Sequence, residues 1–194
     1  SDVNNGGGSG NETVNLFFSE YAEGTSNNKY VEIYNPSSRT VNLNNYQIKG
    51  TNNGTAWGDN GERELALGGT LAANSVYIIC TDAADPAIIA KADLALPYEI
   101  PVHYNGNDAI AIFGIDGSGN FTVIMDVIGV QSSDPGPAGW NVAGVTGATK
   151  DHTLVRKSSI SKGNTNWENS AGTSASDSEW EVKNVDDWTS LGTR

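Results

Sequence analysis

Apolar residues in this chain come in short runs of alternating spacing, and glycine, asparagine or proline ends nearly every run within a few residues. A strand sends successive side chains to opposite faces, so this spacing reads as strands. The segments 14–21, 30–34, 41–43, 46–49, 65–71, 76–80, 108–114, 121–129 and 153–157 fit. Asn35-Pro36, Gly68-Gly69 and Gly117-Ser118-Gly119-Asn120 are turn signals between them. Many short strands with frequent turns predict an all-β fold, a two-sheet antiparallel sandwich with long loops and at most one short helix. That helix is expected over 87–92, with Asp82 or Asp85 as its cap and Pro86 in its first turn. Alternation within the strands places Val31, Ile33, Val41, Leu43, Ile78, Ile110, Ile112, Val127 and Leu154 in the core.

A length of 194 residues suits one such domain. Residues 1–12 are dominated by Gly, Asn and Ser and read as a flexible linker, leaving 13–194 for the sandwich. Two readings of the linker stand side by side. One is a removed signal peptide with a lipid-bearing cysteine just ahead of Ser1, as in an outer-membrane lipoprotein. The other is a plain secreted protein. No apolar stretch reaches the ~20 residues of a membrane-spanning helix. Cys80 is the single cysteine, so no intrachain disulfide forms, and its place at the end of an apolar run reads as an inert core position.

Charge narrows the partners. The formal net charge is −12, from 23 acidic against 11 basic residues. Phosphate binding needs clustered Lys and Arg, and the best cluster here is Lys150, Arg156, Lys157 and Lys162. No nucleic-acid partner is expected.

Catalytic patterns are missing. There is no G-x-S-x-G elbow, no H-E-x-x-H and no phosphate loop. His103 and His152 lie far apart and read as surface or structural histidines. Three charges stand inside apolar strands: Glu20, Glu32 and Arg156. A buried charge costs several kcal/mol unless it is paired, so a structural ion pair between Arg156 and Glu32 or Glu20 is expected. Because Val31 and Ile33 point to the core, Glu32 must point the other way, and something else has to cover that face. No cofactor is expected. If a metal binds, calcium suits the loop acids Asp59, Glu62, Asp82 and Asp85 best, although none matches EF-hand spacing. Trp57 and Trp140 sit in long Gly-rich loops. There they either bind a protein or surface glycan or fold back to close the end of the sandwich.

The blocks Phe18-Ser19-Glu20-Tyr21, Lys29-Tyr30-Val31-Glu32-Ile33-Tyr34-Asn35-Pro36 and Gly69-Thr70-Leu71-Ala72-Ala73-Asn74-Ser75-Val76-Tyr77-Ile78-Ile79 follow one another. After them come Asn105-Gly106-Asn107-Asp108-Ala109-Ile110, Met125-Asp126-Val127-Ile128-Gly129 and Thr153-Leu154-Val155-Arg156-Lys157. In this order they resemble the lamin-tail domain family, whose members occur in nuclear lamins and in many secreted or surface bacterial proteins. The resemblance implies an immunoglobulin-like sandwich and a setting outside the cell or on its surface, with no fixed ligand. Lamin filament function does not carry over, because the chain has no coiled-coil heptads and carries long insertions at 50–64 and 130–150. The function expected is that of a non-catalytic interaction or adhesion module. The alternatives are an accessory domain of a secreted nuclease or phosphatase system, and a calcium-dependent hydrolase.

Overall fold

The computed structural model describes residues 13–98 and 101–194, so the 1–12 stretch lies outside the described residues. Strands β1 (Phe17–Glu23), β2 (Lys29–Tyr34), β7 (Val76–Thr81), β8 (Leu94–Leu96), β11 (His152–Arg156) and β12 (Trp180–Lys183) form a six-stranded sheet in the order β12-β11-β1-β2-β7-β8. Strands β4 (Tyr46–Gly50), β5 (Glu64–Ala66), β9 (Ile110–Ile115) and β10 (Phe121–Ile128) form a four-stranded sheet in the order β10-β9-β4-β5. A two-stranded ribbon, β3 (Val41–Asn42) with β6 (Thr70–Leu71), completes the set. All pairings are antiparallel except β7 with β8, so the larger sheet is mixed. This is the sandwich that the strand pattern predicts, and it is consistent with the immunoglobulin-like form that the family resemblance implies.

The main core lies between the two sheets. Phe18, Tyr21, Val31, Ile33 and Leu154 come from one side, and Ile48, Ile110, Ile112 and Val127 from the other. Every residue assigned to the core from strand alternation is buried. A second cluster covers the outer face of the six-stranded sheet, with Ala22, Tyr30, Ile78, Cys80, Ala84, Ile88 and Leu191 at its centre. Helix α1 (Pro86–Ile89) supplies Ile88 to that cluster, and the segment 188–191 supplies Trp188 and Leu191. As a result all seven residues of β1 are buried.

Local chemistry explains the helices. Asp85 caps α1 by accepting from the Ala87 N–H at 2.8 Å, with Pro86 at the first helical position, where its missing N–H costs nothing. A second short helix, α2 (Trp167–Ala171), exceeds the single helix expected. Asn166 caps it by accepting from the Asn169 N–H, and it ends at Gly172. Five residues bear too little apolar periodicity to signal a helix; its cap is the only local sign. None of the described helices is long and apolar enough to cross a membrane.

Three register shifts re-aim side chains. One lies in β1, between Phe18 and Glu20, and two lie in β10, between Phe121 and Val123 and between Ile124 and Asp126. A bulge puts two residues opposite one and so reverses the in-out alternation beyond it. At the later β10 shift, Met125 and Asp126 are both buried although they are neighbours in sequence.

Gly129, just after β10, has φ of +85°, and a Cβ there would lie 2.8 Å from Trp140 Cζ3 and 3.0 Å from Ala109 Cβ. Neither a ring nor a packed methyl yields easily. Gly129→Ala is expected to destabilise the domain by about 1–3 kcal/mol, the range for overpacking, as read by urea denaturation.

Candidate functional site

Each sequence-singled charge has a definite place. Arg156 is 1% exposed and Asp126 is fully buried. Arg156 Nη1 donates to Asp126 Oδ2 at 2.8 Å, and Nη2 donates to Oδ1 at 3.1 Å, a bidentate pair between the two sheets. Glu179 lies 3.4 Å from Nη2, and the Trp180 ring stacks 4.4 Å from the guanidinium carbon. Burial works against the guanidinium charge, but the Asp126 and Glu179 carboxylates together more than offset it and hold Arg156 above its ordinary value.

The pair also supports backbone. Pairing of β1 with β11 begins at Glu20, so Phe18 has no ladder partner on that side. Asp126 Oδ2 accepts from the Phe18 N–H at 2.8 Å, and Arg156 Nη1 donates to the Phe18 carbonyl at 2.9 Å. The ion pair therefore stands in for a strand beside the β1 bulge. Asp126 Oδ1 further accepts from the Asn164 N–H at 2.9 Å, which ties down the segment after β11.

This corrects the expected ion pair. Neither Glu20 nor Glu32 bonds Arg156. Val155 is the cross-strand neighbour of Glu20, which in turn faces Glu32, so those three side chains share the outer face of the sheet. Arg156 follows Val155 and points inward, on the side of Leu154. The sequence did hold a signal for the true partner: Asp126 is itself a charge inside an apolar strand.

Glu20 and Glu32 meet across β1 and β2, each 1% exposed. Segment 188–194 covers them. Glu20 accepts from Tyr30 Oη at 2.7 Å and from Ser190 Oγ at 3.2 Å. Glu32 accepts from Ser19 Oγ at 2.7 Å and from the Gly192 N–H at 2.7 Å. Burial, opposed by the Tyr30 hydrogen bond and reinforced by Glu32, pushes Glu20 up to about 7. Burial also raises Glu32, against the hydrogen bonds from Ser19 and Gly192.

The loop residues are dispersed. Asp59 and Glu62 lie in one turn after β4, Asp82 is exposed after β7, and Asp85 is occupied as the α1 cap. Among the described residues no three His, Cys, Asp or Glu side chains gather to hold a metal. Asp108 is buried and clamps loops, accepting from the Asn53 and Asn105 N–H groups at 2.8 and 3.1 Å. His103 is buried beside Tyr98, with its ordinary value lowered by burial and then by Lys29, while His152 Nδ1 lies 2.6 Å from the Lys150 carbonyl. Burial, then Asp82, pushes the Cys80 thiol up to about 11, away from reactivity.

Both loop tryptophans are half-buried. Trp57 meets Phe113 edge-on at 6.1 Å, and Trp140 packs on Gly129. Trp57 also lines an open groove of about 410 Å³ with Ile124, Val127, Val130 and Trp167. Val123, Ile124 and Val130 beside it are exposed, at 36–42%.

A two-sheet sandwich whose strand-borne charges are bound inside the fold defines a β-sandwich module. The sequence matches the Lamin Tail Domain family model over residues 9–131, and the chain belongs to that family. Among solved structures it is similar to a DUF4876 family protein from Bacteroides thetaiotaomicron VPI-5482, at 14% identity over 88% of this chain and 71% of that chain, with a TM-score of 0.49. No curated protein matches it in sequence.

Two outcomes follow from this geometry. Arg156→Ala strands the Asp126 charge and is expected to cost about 3–5 kcal/mol, measured by chemical denaturation. Glu20 supplies a pH dependence. Its folded value is raised from 4.5 to about 7, so the folded state holds a proton that the unfolded chain has lost between those values. Its contribution is complete below pH 4.5 and fades as pH rises through about 7. Glu20→Gln is expected to flatten this decline when denaturation midpoints are compared between acidic and alkaline buffers.

Proposed function

We propose that this lamin tail domain is a non-catalytic interaction module that acts outside the cell or on its surface, binding a protein or glycan ligand at the groove beside β10. The observation that carries this reading is the contrast between the two kinds of residue. The charges that could do chemistry are engaged in the fold: Asp126 and Arg156 in the cross-sheet pair, Asp108 in the loop clamp, Glu20 and Glu32 beneath segment 188–194. Apolar side chains, by contrast, are left facing solvent at Val123, Ile124 and Val130, next to the Trp57 groove. Grooves with an apolar floor and polar walls are where ligands dock, and here Gln131, Thr165, Asn166 and Glu168 supply the polar walls. The setting follows the secreted and surface proteins that carry similar domains. The net charge of −12 supports a ligand other than nucleic acid.

The test uses the purified chain with duplex DNA and with a phosphate ester, each with calcium or magnesium. The expected result is no turnover and no shift of DNA at about 0.15 M salt, the physiological ionic strength. Metal-dependent hydrolysis by the chain, or retarded DNA at that salt, overturns the reading.

A further inference from the structure

Lys29 opens β2 opposite Glu23, the last residue of β1. Their side chains are 7% and 8% exposed, and Lys29 Nζ lies 3.6 Å from Glu23 Oε1. Nζ also donates to the Tyr104 carbonyl at 2.5 Å and to Asn105 Oδ1 at 2.8 Å. Asn105 is fixed in turn, since its N–H donates to Asp108 Oδ2 at 3.1 Å. The neighbouring Tyr104 ring is fully buried and stacks on Tyr21 at 4.5 Å, which keeps one side of the group dry. An amine, a carboxamide and a carboxyl group thus meet at the edge of the core, each contributed by a different element.

We propose that Lys29 and Asn105 join in an intramolecular isopeptide bond, with Glu23 carrying the protons. The neutral Nζ attacks Asn105 Cγ, and the Nζ–Cγ bond forms as the carbonyl π pair moves to Oδ1, which takes a proton from the Glu23 carboxyl. The resulting carboxylate removes a proton from Nζ and passes it to Nδ2. The C=O re-forms, the Cγ–Nδ2 bond breaks, Nδ2 departs as ammonia, and the proton on Oδ1 returns to Glu23. Nothing is oxidised or reduced, and the acid is regenerated. The step needs a deprotonated amine and a protonated acid together, and the site favours both. Burial lowers Lys29 against the opposing pull of Glu23, and burial raises Glu23 against the Asp151 N–H and Lys29. Held atoms of this kind react far faster than free ones. Asn105 is exposed, which gives ammonia a way out. The bond would tie β2 of the six-stranded sheet to the loop entering β9 of the four-stranded sheet, a covalent brace across the sandwich.

The same acceptors would also satisfy a resting ammonium, and mass separates the two. The intact chain, purified and held at neutral pH, is expected to weigh less than its sequence by one ammonia. Tryptic digestion is expected to give one linked species containing Lys29 and Asn105, with no cleavage after Lys29. Lys29→Arg and Glu23→Gln are both expected to restore the full mass. A full-mass wild-type chain overturns the proposal. So does a loss that persists in Lys29→Arg, because Asn105-Gly106 can also shed ammonia by closing an imide. A link that forms undiminished in Glu23→Gln overturns the role given to Glu23.

Discussion

The Asp126–Arg156 pair is the constraint around which the sandwich is arranged. Taking two charges out of water is costly, and only good geometry with full hydrogen bonding recovers the cost. Here the bonding is nearly complete. Asp126 accepts from Arg156, Phe18 and Asn164, and Arg156 donates to Asp126, the Phe18 carbonyl and Glu179 while lying on Trp180. Three dependencies follow. The bulge in β1 has a partner for its open backbone groups. Asp126 and Arg156 fix how β10, at the edge of one sheet, lies on β11 of the other. Trp180, which covers the guanidinium, anchors α2 by donating from Nε1 to Ser170 Oγ at 2.9 Å. A hydrophobic pair could fill the same space but could not satisfy the Phe18 backbone.

The outer face shows a second use of buried charge. Most sandwiches leave that face to solvent, yet here Glu20 and Glu32 sit under segment 188–194. The carboxylates act as hooks for Ser190 and Gly192, while Leu191 and Trp188 join the small apolar cluster with Tyr30 and Ile88. Burial first, and then the nearby Glu32 carboxylate, disfavours ionisation of Glu20, which makes this contact responsive to pH near neutrality.

Much of this was legible in the sequence. Period-two alternation placed the central strands and their core residues, because a strand with one buried face must alternate. The turn at 117–120 was readable for local reasons too, as was a helix cap at Asp82 or Asp85, of which the structure uses Asp85. Pairing between distant charges was not. It depends on topology and on the bulges at Ser19 and Met125, which reverse alternation without any mark in composition. The face of Arg156 was readable nonetheless, since it lies two residues from Leu154 in an unbroken strand. β8 and β12 escaped notice because strands of three and four residues at sheet edges carry too few apolar positions to show a period. The loop tryptophans were left open between binding and closure, and the structure puts both rings against the fold, with Trp57 also in the groove wall.

For function, the same economy of charge matters. Asp126, Asp108, Glu20 and Glu32 hold backbone, loops and the covering segment together, while the apolar side chains of Ile124 and Val130 beside Trp57 face solvent. The sharpest probe is native-state hydrogen exchange at the Phe18 amide, which donates to a carboxylate from the opposite sheet. If the ion pair truly substitutes for a strand, that amide exchanges as slowly as the core amides of β2 and β9, through global unfolding. Exchange of Phe18 through local opening, at rates typical of the exposed loops, would contradict the account.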